Sequence, residues 1–222
     1  MTRHLYLISG LGADERIFRN LKFPDNYQVH YLPWLAPIPN EPLRDYASRM
    51  AAGIQEGPVT LLGVSFGGVM SLEIAKLIPV AQVILLSSIK YTREKPPYYK
   101  WVKILGLHHL PDSILYSRRT LIVKRFLNIE TEEELELVNE YLQKKDYGYL
   151  RWAVNTILHW ENEEVPPNLV HIHGAKDFPF PIKLLTPTHI IPDGGHFMVL
   201  NRAEAINKIL QQVLQDKDKE AP

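Results

Sequence analysis

Short apolar runs with little polar alternation recur along the 222-residue chain, and between most of them apolar positions return every three or four residues. The runs at 4–9, Tyr27–Leu32, Val59–Val64, Gln82–Leu86, Leu169–Gly174 and Thr188–Pro192 predict buried strands. The intervening pattern predicts helices. Asp14 is placed to cap a short one reaching Leu21. Leu43–Gln55 sets Tyr46, Ala47, Met50 and Ile54 on one face and is stopped by Gly57-Pro58. Phe66–Leu77 ends before Pro79, and Arg202–Leu214 directs Ala205, Ile209 and Val213 inward. Strands that are apolar throughout, alternating with amphipathic helices, imply an α/β protein with a parallel sheet covered on both faces.

Residues 89–160 break that alternation. They hold no strand pattern but four helical ones: Tyr98–Leu107, a stretch within Pro111–Leu127, a helix to Lys144, and Gly148–Trp160. The third opens on Thr131-Glu132-Glu133-Glu134, a capping box in which the threonine accepts a backbone N–H and Glu134 reaches back. The organisation expected is a core of residues 1–88 and 161–222 with a helical insertion, 89–160, set into it. The charged tail from Asp216 is expected to fray.

The strand Val59–Val64 runs into Gly63-Val64-Ser65-Phe66-Gly67-Gly68. A strand that turns into a helix through a serine strains that serine and lifts its hydroxyl above the sheet, beside the free N–H groups of the helix start. A hydroxyl is a poor nucleophile at neutral pH and needs a base, and the base needs an orienting group. Asp177 follows the strand ending in His173-Gly174, and His196 follows the last strand through Asp193-Gly194-Gly195. Ser65, Asp177 and His196 therefore fall at the carboxyl ends of three strands, the edge where open parallel sheets bind ligands. Among nine histidines only His196 joins a strand end to flanking glycines; His171 and His189 lie within strands. Asp193 is a rival acid, but it shares a loop with His196.

Ser9-Gly10-Leu11-Gly12, the serine motif, His173-Gly174-Ala175-Lys176-Asp177 and Gly194-Gly195-His196-Phe197, in that order, make the chain similar to small members of the α/β-hydrolase superfamily. The resemblance implies an α/β-hydrolase fold, without the usual leading hairpin and so with about six strands, and it identifies the insertion with the helical cap of the family. It implies Ser65 as nucleophile, His196 as base, Asp177 as acid, and backbone N–H groups of Phe66 and Leu11 as an oxyanion hole. Two departures stand out. Ser9 occupies a position where relatives often carry histidine, and Ser87-Ser88 fills a place where some relatives carry the acid. His173 matches a position that braces the acid loop.

Composition narrows the field. Twenty-five basic and 25 acidic residues balance, against a dedicated nucleic-acid binder. There is no cysteine, no metal-ligand spacing, and no dinucleotide loop, so neither metal nor cofactor is expected. Leu5-Tyr6-Leu7-Ile8 is too short for a signal peptide, and no run approaches a membrane span, so a cytoplasmic protein without stable membrane insertion is expected. Trp101, Trp152 and Trp160, with Tyr98, Tyr99 and Tyr116, are candidates to line a pocket, to pack the insertion on the core, or, at Tyr98–Trp101, to touch a membrane surface. Three functions remain open: a serine hydrolase of small esters or thioesters, a carbon–carbon hydrolase or lyase on the same residues, and a non-catalytic ligand-binding protein. The partner expected in the first case is a small-molecule substrate.

Overall fold

A computed structural model describes residues 3–55, 57, 59–104, 120–144 and 146–215. Its centre is a six-stranded, wholly parallel sheet: β1 (Arg3–Ile8), β2 (Tyr27–Tyr31), β3 (Val59–Val64), β4 (Val80–Leu86), β5 (Leu169–Gly174) and β6 (His189–Ile191). The order across the sheet is β2-β1-β3-β4-β5-β6. Every residue of β3 is buried, as expected of an apolar strand with sheet on both sides and helices on both faces.

On one face, α1 (Leu43–Ala51) and α2 (Phe66–Ala75) cover the sheet. Tyr46, Ala47 and Met50 are buried there against Tyr6, Ile8, Leu61, Met70 and Ile74, with Ile54 packed alongside. On the other face, a short α7 (Met198–Asn201) precedes α8 (Ala203–Gln215). The buried stripe of α8 is Ala203, Ile206, Leu210 and Leu214; the expected Ala205, Ile209 and Val213 lie one position round, half-buried on its flank. Both sets repeat every three to four residues, so periodicity alone left the phase open. The helix expected after Asp14 is a single 3-10 turn, Glu15–Phe18, capped by the Asp14 carboxylate.

Between β4 and β5 the chain forms α3 (Tyr98–Ile104), α4 (Thr120–Leu127), α5 (Glu132–Gln143) and α6 (Tyr147–His159). Thr131 and Glu134 close the capping box: Thr131 Oγ1 accepts from the Glu134 N–H at 3.2 Å, and the Glu134 carboxylate accepts from the Thr131 N–H. The two ends of this insertion are knitted together beside β4. The Thr92 N–H donates to the Asn162 carbonyl at 2.8 Å, and the Asn162 N–H returns to Thr92 Oγ1 at 2.7 Å. Lys95 Nζ donates to the carbonyls of Leu158 and Trp160. A buried ion pair, Lys90–Glu94 at 2.9 Å, anchors the same junction. The expected tail from Asp216 lies outside the described residues.

Candidate active site

Ser65 stands between β3 and α2 at φ 53°, ψ −118°, a region costly for any residue with a Cβ. The surroundings hold it there. Its N–H donates to the Leu86 carbonyl of β4 at 2.9 Å, and its carbonyl accepts from Ser88 Oγ at 2.7 Å. The first turn of α2 lies directly on the end of β1: a Cβ on Gly67 would sit 2.2 Å from the Ile8 carbonyl oxygen. Only a glycine permits that approach, and the approach aims the serine out over the strand ends.

His196 reaches the serine from the loop after β6. Its Nε2 lies 3.0 Å from Ser65 Oγ, and its Nδ1 lies 2.8 Å from Asp177 Oδ2. A carboxylate only accepts, so Nδ1 carries the proton and Nε2 is left as acceptor for the serine O–H. The loop is seated by backbone packing: a Cβ on Gly174 would meet the Gly194 carbonyl oxygen at 2.3 Å. Asp177 is buried, and its other oxygen accepts from the Phe180 N–H at 2.8 Å. Asp193 faces away, paired at 2.7 Å with Lys176 on the surface.

Behind the carboxylate lie two fully buried histidines. His173 Nε2 is 2.9 Å from the Phe180 carbonyl and 3.5 Å from Asp177 Oδ2. A carbonyl cannot donate, so His173 carries its proton on Nε2 and accepts on Nδ1 from His171 Nε2, 3.3 Å away. His171 Nδ1 is then a lone pair with no hydrogen-bond partner. Burial drives both rings neutral. It lowers the His171 pKa to about 2, with His173 and Lys90 adding to the effect, and it lowers that of His173 against the pull of Asp177. The sequence put His171 within a strand and His173 at the acid loop, but could not show that the two rings meet edge to face behind the acid.

The loop after β1 is the other wall. Ser9 Oγ donates to the Ala13 carbonyl at 2.9 Å and receives Tyr31 Oη at 3.0 Å and Trp34 Nε1 at 3.1 Å. Ser9 therefore clamps the turn that holds Leu11. Tyr31 and Trp34 escaped the sequence reading; two aromatics at and just beyond the end of β2, one strand from the loop, were the available signal. Among the described residues, the N–H groups of Leu11 and Phe66 have no intramolecular partner. Both residues line the same cavity as Ser65 and His196.

That cavity has a volume of about 400 Å³ and almost wholly apolar walls. The core supplies its floor, and Tyr98, Val102, Tyr141, Val154 and Ile157 of the insertion supply its roof. Burial, with the charge of Asp177 nearby, raises the Tyr98 phenol to about 12. The three tryptophans do not line it. Trp101 is 64% exposed on α3. Trp152 stacks on Tyr46, ring centres 4.1 Å apart, and pins the insertion to α1. Trp160 is buried and donates from Nε1 to Glu73 Oε1 at 2.8 Å. Trp152 and Trp160 occupy seams between insertion and core, where the largest apolar areas meet. Tyr116 lies outside the described residues. A wider depression of about 620 Å³ lies at the opposite edge of the sheet, near Val59 and Val80, with no titratable side chain among the described residues that line it.

No group of three potential metal ligands occurs among the described residues, and no helix among them is long and apolar enough to cross a membrane.

The chain belongs to the alpha/beta hydrolase family, whose model matches residues 6–209. Solved structures share the fold at low identity. A hydrolase from Oleispira antarctica superposes with a TM-score of 0.78 at 12% identity, over 96% of this chain and 91% of that one. A lipase-esterase related protein from Clostridium acetobutylicum gives 0.66 at 17%, over 96% and 94%. An esterase from Thermogutta terrifontis gives 0.68 at 14%, over 96% and 89%. No curated protein sequence matches.

Proposed function

We propose that the protein is a serine hydrolase that cleaves a small, apolar ester or thioester. The observation that carries this reading is the unbroken contact series Ser65–His196–Asp177, opening on a dry cavity. His196 Nε2 takes the Ser65 proton as Oγ attacks the carbonyl carbon. The N–H groups of Leu11 and Phe66 receive the oxyanion, where charge appears only during reaction. Asp177 keeps the imidazole in the required tautomer and stabilises it when charged. The tetrahedral adduct collapses, Nε2 protonates the departing alcohol or thiol, and an acyl-serine remains. Water then loses its proton to Nε2 and attacks the acyl carbon; the acid leaves and Ser65 regains its hydrogen. The insertion serves as a lid, excluding water and holding the acyl chain against apolar walls. Among the described residues no lysine or arginine lines the cavity, which favours an uncharged acyl group. Names of the fold neighbours, esterase and lipase-esterase among them, point the same way.

The test is turnover of p-nitrophenyl acetate and butyrate. Ser65→Ala is expected to lower kcat by more than about a thousandfold with the fold intact. Undiminished hydrolysis in that variant removes the mechanism.

A further inference from the structure

Nine large apolar side chains are prominently exposed on the described surface; four of them, Leu11, Tyr98, Phe126 and Phe178, lie at one opening, and two more, Trp101 and Ile104, continue from it along α3. Leu11, Tyr98 and Phe126 line the cavity and also reach solvent. Phe178 packs edge-on against Phe126, ring centres 5.4 Å apart, and is 59% exposed. Tyr98 Oη donates to the Pro179 carbonyl, joining α3 to that rim. From Tyr98 the stripe continues along α3 at one-turn spacing through Trp101 and Ile104, the latter 73% exposed. No residue of α3 is buried. Scattered exposed apolar residues need no explanation; a contiguous set around the mouth of a cavity does.

The side-chain charge on α3 and α4 is of one sign. Residues 95–104 and 120–129 carry Lys95, Lys100, Lys103, Lys124 and Arg125 and not one carboxylate, in a chain whose charges balance overall. The nearest countercharge is Glu132, 3.4 Å from Lys124. Among the described residues Lys100, Lys103 and Arg125 have no ion-pair partner. Exposed tryptophan, tyrosine and isoleucine interleaved with unpaired lysines is the pattern that seats a helix in the headgroup region of an anionic bilayer: apolar side chains enter the acyl boundary and cations meet phosphate.

We propose that the α3–Phe126–Phe178 rim is a docking surface for anionic lipid, which would set the cavity mouth against the membrane. An acidic soluble protein would answer the charge, but it gives no account of Tyr98, Trp101 and Ile104, three large apolar groups in the two turns of α3, being presented to water. The proposal concerns where the mouth sits and does not require the Ser65 chemistry, so binding and hydrolysis fail or succeed separately.

The experiment is co-sedimentation with vesicles of phosphatidylcholine alone and of phosphatidylcholine with about a third phosphatidylglycerol, at about 0.1 M salt. The protein is expected to bind the anionic vesicles, to leave the neutral ones in solution, and to show a blue shift of tryptophan emission on binding. Lys100→Gln/Lys103→Gln is expected to weaken binding roughly tenfold. Trp101→Ser/Ile104→Ser is expected to abolish the emission shift and most of the binding. None of these four residues touches the cavity, so turnover of the water-soluble p-nitrophenyl butyrate and the thermal midpoint should stay at wild-type values in both variants. No binding to anionic vesicles at low salt overturns the proposal. So does binding that both double variants retain, and so does capture of an acidic protein by this rim with no vesicle binding.

Discussion

The strand rim and the helical insertion meet at one cavity but are built in opposite ways. At the rim, backbone touches backbone: α2 rests on the end of β1, and the His196 loop rests on β5, with no side chain between. Ser65 is held in a costly conformation by bonds on either side of it, to the last residue of β4 and to Ser88 just past that strand. The insertion rests mainly on side chains, Trp152 on Tyr46, Trp160 on Glu73 and Lys95 on two carbonyls, with a backbone bond from the Phe197 N–H to the Leu127 carbonyl beside them. No residue of its first helix is fully buried, and Tyr99 and Val102 are half-buried. The proposed chemistry would thus sit on the more tightly packed part, and the proposed selecting surface on the part held more by side chains.

Gly67→Ala is the severest challenge to that contrast. A Cβ 2.2 Å from the Ile8 carbonyl forces α2 off β1, so a loss of roughly 3 kcal/mol or more in urea unfolding is expected, with activity lost too. An active, stable variant would mean that the rim yields more than its packing implies. Next in size is a pH effect. His171 and His173 have folded-state pKa values below their ordinary 6.5. Below that pH the unfolded chain binds protons that the native state refuses, so their contribution to stability is lost as pH falls. Each ring is expected to remove up to about 1.4 kcal/mol per pH unit. His171→Leu should flatten the slope between about pH 6.5 and about pH 5, read from unfolding midpoints; an unchanged slope would exclude His171 as a source. Ser65→Gly should relieve backbone strain and gain about 1 kcal/mol while abolishing turnover, so stability and activity would move in opposite directions. The mildest is Lys95→Met. It removes donors to the carbonyls of Leu158 and Trp160, and is expected to leave the global unfolding midpoint within about 0.5 kcal/mol of wild type. Limited proteolysis within the insertion should quicken several-fold. Equal loss of core and insertion stability would mean that the two parts unfold as one.

The same contrast explains what could be read from sequence. Around Ser65 and His196, glycine and a reactive side chain at fixed offsets have few structural uses, so strand ends and site residues emerged together. The insertion offers only helical periodicity and aromatic residues, and a tryptophan at a seam looks the same in sequence as one in a pocket wall. Trp152 and Trp160 went to seams because burying a large ring against the core returns more than lining a cavity. The one-position error on α8 has a related cause, since Ala205, Ile209 and Val213 repeat with the same spacing as the residues that are buried. Ser9 was noted as a departure from histidine; that its hydroxyl gathers Tyr31, Trp34 and Ala13 depended on contacts across three segments.

Thr92 and Asn162 join the departing and returning chain within two reciprocal bonds. To the sheet, some seventy intervening residues therefore look like a short staple between neighbouring strands. Loops strung between those two residues can be lengthened or recast while β4 and β5 keep their register, provided the residues buried against the sheet, Ile129, Leu137, Val138, Tyr149 and Ala153, stay in place. A new selectivity could thus be grafted onto an old reaction at this single junction.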